Sequence, residues 1–169
     1  DFGFALPIDH SSLWVRSAAG KSWGDRENAF ANFFFGGFGN NWIDYQDVWR
    51  YREYYSFPGL ELNEAGGSDF GKTTLEWTLP PVRFRRVGVP GLYVNWSRLA
   101  LFTGGLVTNV GSDEHRREVY NVGGQIDFSL VMFSNLESMF SVGYAVARER
   151  GEPSSDEVMV SLKVLRCWR

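Results

Sequence analysis

The chain has 169 residues, 17 Lys and Arg against 20 Asp and Glu, and a formal charge of -3. That length is enough for one domain with a buried core. The acidic balance argues against a nucleic-acid partner, which needs a clustered basic surface. No apolar run reaches about 18 residues, which excludes a transmembrane helix and leaves a membrane-spanning barrel open. The single Cys167 has no internal disulfide partner, and no Cys–His metal set or cofactor motif is present. With no signal peptide and no initiator Met, Asp1 reads as a processed or excised start.

Taken in chain order, the pattern predicts strands near 2–8, 12–22, 29–37, 72–82, 92–105, 119–133, 138–149 and 157–166. The later ones alternate most clearly. Ile126, Phe128, Leu130 and Met132 share one side, as do Phe140, Val142, Tyr144 and Val146, and Val158, Val160, Leu162 and Val164. A period of two sends successive side chains to opposite faces of a strand. The bulky apolar set therefore opposes a face carrying Asp127, Ser141, Gly143 and Lys163. That second face is too small and polar for a packed core. It suits an antiparallel transmembrane β-barrel with lipid outside and water within, and about eight strands are readable. Aromatics at 17%, 19 Gly and a mean hydropathy of -0.24 fit the same class. A soluble ligand barrel would turn its apolar face inward instead. Asp9-His10 and Ser134-Asn135 read as tight turns, and 111–117 and 150–156 as polar loops.

The long connection, 38–71, carries Trp42, Tyr45, Trp49, Tyr51, Tyr54, Tyr55 and Phe57. A solvated loop would not hold so many aromatics, so it is expected to fold into the barrel lumen, with Trp42, Trp49, Tyr54, Tyr55 and Phe57 buried there. An eight-stranded lumen is only wide enough for side chains. Such a loop therefore calls for a wider barrel, completed by further strands or by a partner chain.

Phe34-Phe35-Gly36-Gly37, the long loop, Asn63-Glu64-Ala65-Gly66-Gly67 and then Leu75-Glu76-Trp77-Thr78-Leu79-Pro80 resemble the C-terminal barrel of the bacterial surface antigen superfamily. His10 to Arg16 and Ala18-Ala19-Gly20 resemble a preceding strand of that barrel. The resemblance spans essentially the whole chain and corresponds to the C-terminal half of a sixteen-stranded family barrel. It is closest to the subgroup attached to periplasmic propeller-like domains. Members include the outer-membrane barrel-assembly insertase, the translocation and assembly module, and two-partner secretion transporters. In them the sixth extracellular loop folds back into the lumen and five strands follow it, and five are counted here after residue 71.

The resemblance implies a bacterial outer-membrane location, and a role in inserting or translocating proteins. It also implies partners in outer-membrane lipid, remaining barrel strands or a partner chain, and periplasmic accessory or client proteins. A structural anchor or pore without translocation activity is the alternative. Two departures stand out. The loop tip is Ser56-Phe57-Pro58-Gly59-Leu60, without the family's tip arginine, and Phe102-Thr103-Gly104 has Thr where members carry Asp. The C-terminus departs as well, with Trp168 penultimate before Arg169.

The candidate site is the loop and its anchor: Arg52, Tyr55, Phe57, Gly59, Asn63, Glu64, Gly66, Gly67 and Glu76. Glu76 shares the polar face of its strand with Thr74 and Thr78. It is either a loop anchor through charge-assisted hydrogen bonds or a solvated lumenal charge, and Arg52 is the best available cation partner. Gly66 and Gly67 would let the chain return to the wall through positive φ or close approach. Catalytic readings fare poorly. Asp9, His10 and Ser11 are consecutive, so they do not form a triad. Gly36–Gly39 and 66–73 lack the strand–helix setting of a phosphate loop. The chain reads as no enzyme.

Overall fold

In the computed structural model, residues 1–7, 10–23, 31–39, 49–112, 115–133 and 136–167 are described. Trp42, Tyr45, Asp9, Ser134, Asn135, Trp168 and Arg169 lie outside them, as does the start of the strand expected at 29–37. Ten strands are present among the described residues: β1 Phe2–Ala5, β2 Ser12–Lys21, β3 Phe33–Phe35, β4 Ala65–Gly67, β5 Asp69–Thr78, β6 Val82–Val89, β7 Leu92–Thr108, β8 Arg117–Met132, β9 Leu136–Glu149 and β10 Ser155–Cys167. A 3-10 turn lies at Arg50–Arg52, and Ala31 is a further 3-10 residue. No helix among the described residues is long or apolar enough to cross a membrane.

Eight strands form one antiparallel sheet in the order β1-β2-β5-β7-β8-β9-β10, with β6 also on β7. The sheet is open, with β1 and β10 as its edges. β5 and β6 lie end to end along the same side of the 17-residue β7, against Ala100–Thr108 and Leu92–Ser97 respectively. Between them stand Pro80 and Pro81, which have no N–H to give the ladder. Leu79 N still donates to Leu99 O at 2.9 Å. The expected five strands after the loop thus correspond to five ladder positions, but the first is split in two, and Val82–Val89 is strand where none was expected.

The strand expected at 29–37 is corrected. Among the described residues the strand is Phe33–Phe35, which pairs with β4 in a separate two-stranded sheet, and Gly37 makes an isolated bridge to Phe57. Three aromatics in a row favour a strand locally, yet here they serve the loop and not the wall.

The alternation resolves into two faces. Asn121, Gln125, Asp127 and Ser129 on β8 are buried, while Val122, Phe128 and Leu130 turn to the other side. On β9 and β10, Phe140, Val142, Tyr144, Val158, Val160 and Leu162 share that outer side, and Ser141, Gly143, Glu157 and Lys163 the inner one. The core is therefore the layer between the inner face and the loop. One cluster gathers Phe35, Phe57, Leu60 and Ala65 from the loop with Phe70, Leu106, Val119 and Ala147 from the wall. A second gathers Phe38, Trp49 and Tyr51 with Ala100, Phe102 and Ala145.

Candidate functional site

The loop lies across the inner face from β5 to β10, held at a series of polar anchors. Glu76 is fully buried and sits on β5 at an inward position. Arg52 reaches it as a fork, Nε to Oε2 at 3.0 Å and Nη2 to Oε1 at 2.5 Å. Arg16 Nη1 on β2 donates to Oε2 at 2.9 Å, and Thr78 Oγ1 donates to Oε1 at 3.0 Å. Two guanidiniums and a hydroxyl thus compensate one buried carboxylate, the condition under which such a charge is tolerated. Of the two readings left open for Glu76, the geometry is that of the anchor.

Lys72, one inward step nearer the long-loop rim than Thr74, is buried as well. Its Nζ donates to the carbonyl oxygens of Glu53 at 2.9 Å, Tyr54 at 3.1 Å and Ser56. These carbonyls belong to the segment that follows the 3-10 turn, so the ammonium fixes the chain just before the tip.

The Trp49 ring lies between two guanidiniums, with Arg52 Cζ 3.5 Å and Arg98 Cζ 4.0 Å from its centroid. Its Nε1 donates to Asp127 Oδ2. The other Asp127 oxygen accepts from Gln125 Nε2 and Ser141 Oγ, each at 2.7 Å. Tyr51 stacks on Phe102 with centroids 4.5 Å apart. Burial, with the Glu76 charge adding to it, pushes the Tyr51 phenol well above its ordinary range.

The tip is seated against β8 and β9. Asn121 Nδ2 donates to Pro58 O at 2.9 Å. Gly59 has φ +97°, and a Cβ there would come within 2.5 Å of Ala147 N, so both its backbone angle and its clearance require glycine. Glu157 on β10 accepts two loop amides, Phe38 N at Oε1 and Gly59 N at Oε2, each at 3.1 Å.

The remaining predicted residues divide. Phe57 is buried and Tyr55 half-buried. Tyr54 is 55% exposed, which corrects its expected burial: its backbone carbonyl faces Lys72 while its ring packs edge-on to Tyr55. Gly66 and Gly67 are strand residues without positive φ, and that part of the expectation is corrected; Asn63, at φ 60°, makes the turn. Gly67 does allow close approach, since a Cβ would lie 2.9 Å from Thr108 Cβ. Glu64 belongs to the rim, where its carbonyl accepts from Arg117 Nη1 at 2.8 Å while Arg117 pairs with Glu149. Thr103 points outward and donates to Asn121 O at 2.8 Å, so the position matched to the family's acid does not face the loop.

Sequence reasoning missed Arg16, Lys72, Arg98, Asn121 and Glu157 as anchors. The signal was parity: Lys72 is two inward steps from Glu76. The partners of these residues in the loop carried no pattern, because most are backbone carbonyls and amides. No cluster of three or more metal-ligating side chains occurs among the described residues. Set against protein-family models, curated proteins and solved structures, the chain matches none.

Proposed function

We propose that this chain is wall and plug of a surface-antigen-type β-barrel in the bacterial outer membrane, acting in the insertion or translocation of proteins. The observation that carries the reading is the inverted polarity of the strands. Inward positions hold Lys72, Glu76, Arg98, Asp127 and Glu157 under a docked loop. Outward positions Leu75, Trp77, Leu99, Leu101, Val122 to Leu130, Phe140 to Val146 and Val158 to Val164 carry no charge and stay largely uncovered. From Val122 to Leu130 the band runs roughly 26 Å along the strand. Tilted as barrel strands are, that approaches the roughly 25 Å apolar belt of outer-membrane barrels. In water such a surface would be an aggregation liability.

In this reading the plug braces the wall from inside, and the unpaired edges of β1 and β10 accept neighbouring strands of the completed barrel or of a client. The density of plug anchors favours a second reading, a static membrane anchor for a periplasmic domain. One experiment separates the two. The full-length protein is reconstituted in liposomes with an unfolded reporter barrel, and protease-protected reporter is scored. Faster reporter assembly than in empty liposomes supports the first reading. Stable insertion without acceleration selects the anchor, and solubility without detergent overturns both.

A further inference from the structure

On the outward side of β8 and β9, just beyond the charge-free band toward the long-loop rim, Tyr120 and Arg148 are register partners. Both are exposed, and Val122 and Val146 form the next outward pair below them. Arg116 and Arg150 flank the spot, with Nη2 and Nη1 at 2.7 and 3.8 Å from the two oxygens of Glu118. Glu149 borders the same spot, with its carboxylate taken up by Arg117 at 2.8 and 2.6 Å. Among the described residues Arg148 has no hydrogen-bond or ion-pair partner, so three guanidiniums stand against the one carboxylate of Glu118. Asp156 on β10, the register partner of Val146, is a further exposed acid on this side. Arg148, Tyr120, Glu118, Glu149 and Arg150 border a hollow of about 420 Å³.

We propose that this hollow binds the phosphorylated headgroup of a membrane lipid in the leaflet at the long-loop rim, with Arg148 as its principal ligand. A guanidinium presents paired N–H donors that match phosphate oxygens. Tyrosine at the edge of an apolar band occupies the interfacial level where headgroups lie. The acyl chains then run down over Val122, Val146 and Gly124, which free inorganic phosphate has no means of using. Tyr120 lies along Gly105, 3.6 Å from where a Cβ would stand, leaving the guanidinium clear above the sheet.

This inference rests on the membrane reading, so the test separates the two. The protein is reconstituted into nanodiscs of zwitterionic lipid doped with either a phosphate-monoester lipid or diacylglycerol of the same chains. Co-purifying lipid is then counted by native mass spectrometry. The expected result is selective retention of the phosphate lipid, reduced on the order of tenfold in Arg148→Gln and less than that in Arg148→Lys, which keeps the charge but loses the paired donors. Soluble glycerol phosphate should not compete at equal concentration. Equal retention of both lipids, or no change in Arg148→Gln, overturns the site while leaving the membrane reading intact. Failure to enter nanodiscs at all removes both.

Discussion

The two ends of the plug are held differently. At β5 the anchors are buried ionic groups: Glu76 with Arg52 and Arg16, and Lys72 on three carbonyls. At β10 a single half-buried carboxylate, Glu157, accepts two backbone amides at 3.1 Å. Buried charge is costly when it loses a partner, and a partly solvated carboxylate is not. The loop is therefore held more strongly toward β2 and β5 than toward the open β10 edge, and is expected to yield first there.

Breaking the strong end should show the largest effect. Glu76→Ala strips Arg52 of its carboxylate, while Arg16 keeps Asp1 at 3.4 Å, and should weaken loop docking by about 3–5 kcal/mol. The measurement is protease nicking between residues 49 and 60, with the wall itself staying resistant. Unchanged nicking would refute the asymmetry. Lys72→Met takes the ammonium from the Tyr54 and Ser56 carbonyls, while Glu53 O keeps Ser56 N and Oγ, and should cost on the order of 3 kcal/mol, followed by hydrogen exchange at Tyr54 to Phe57. Gly59→Ala tests the middle of the span. Its positive φ and the blocked Cβ predict about 1–3 kcal/mol, seen as lost exchange protection at the tip. At the soft end Glu157→Gln should cost only about 0.5–1.5 kcal/mol and raise exchange at Phe38 and Gly59 alone.

The smallest effect is a pH dependence. Tyr51 stays neutral while docked, but its phenol ionises near pH 10 once the loop is free. Docking stability is thus fully present below that pH and falls as pH rises through it. Tyr51→Phe should abolish that alkaline loss.

Much of the wall was legible because parity is local. Val158 to Val164 and Phe140 to Val146 announce their faces by composition alone, and the same rule placed Asp127 and Glu76 inside. Long-range pairing was not legible. Phe33 to Phe35 has the composition of a wall strand, and nothing nearby reveals that Ala65 to Gly67 is its partner. Pro80-Pro81 signals a strand end, and the resumption at Val82 depends on the length of β7. Thr103 was matched by motif spacing, whereas its odd place in the alternation already put it outside. Of the site, the Arg52–Glu76 pair was the part readable from charge, because both partners are side chains. The anchors that grip backbone left no trace in residue identity.

The Glu157 contacts also constrain the order of assembly. Phe38 and Gly59 are 119 and 98 residues from Glu157 in sequence, and Trp49 is 78 from Asp127. A chain emerging from its N-terminus exposes the aromatic loop long before β8 exists to receive Trp49, and the last anchor arrives only with β10. Contacts of such separation close slowly, and the uncovered aromatics are open to wrong association meanwhile. The same residues that make the docked loop firm therefore make the unfinished chain dependent on being kept apart from its neighbours until β10 is made.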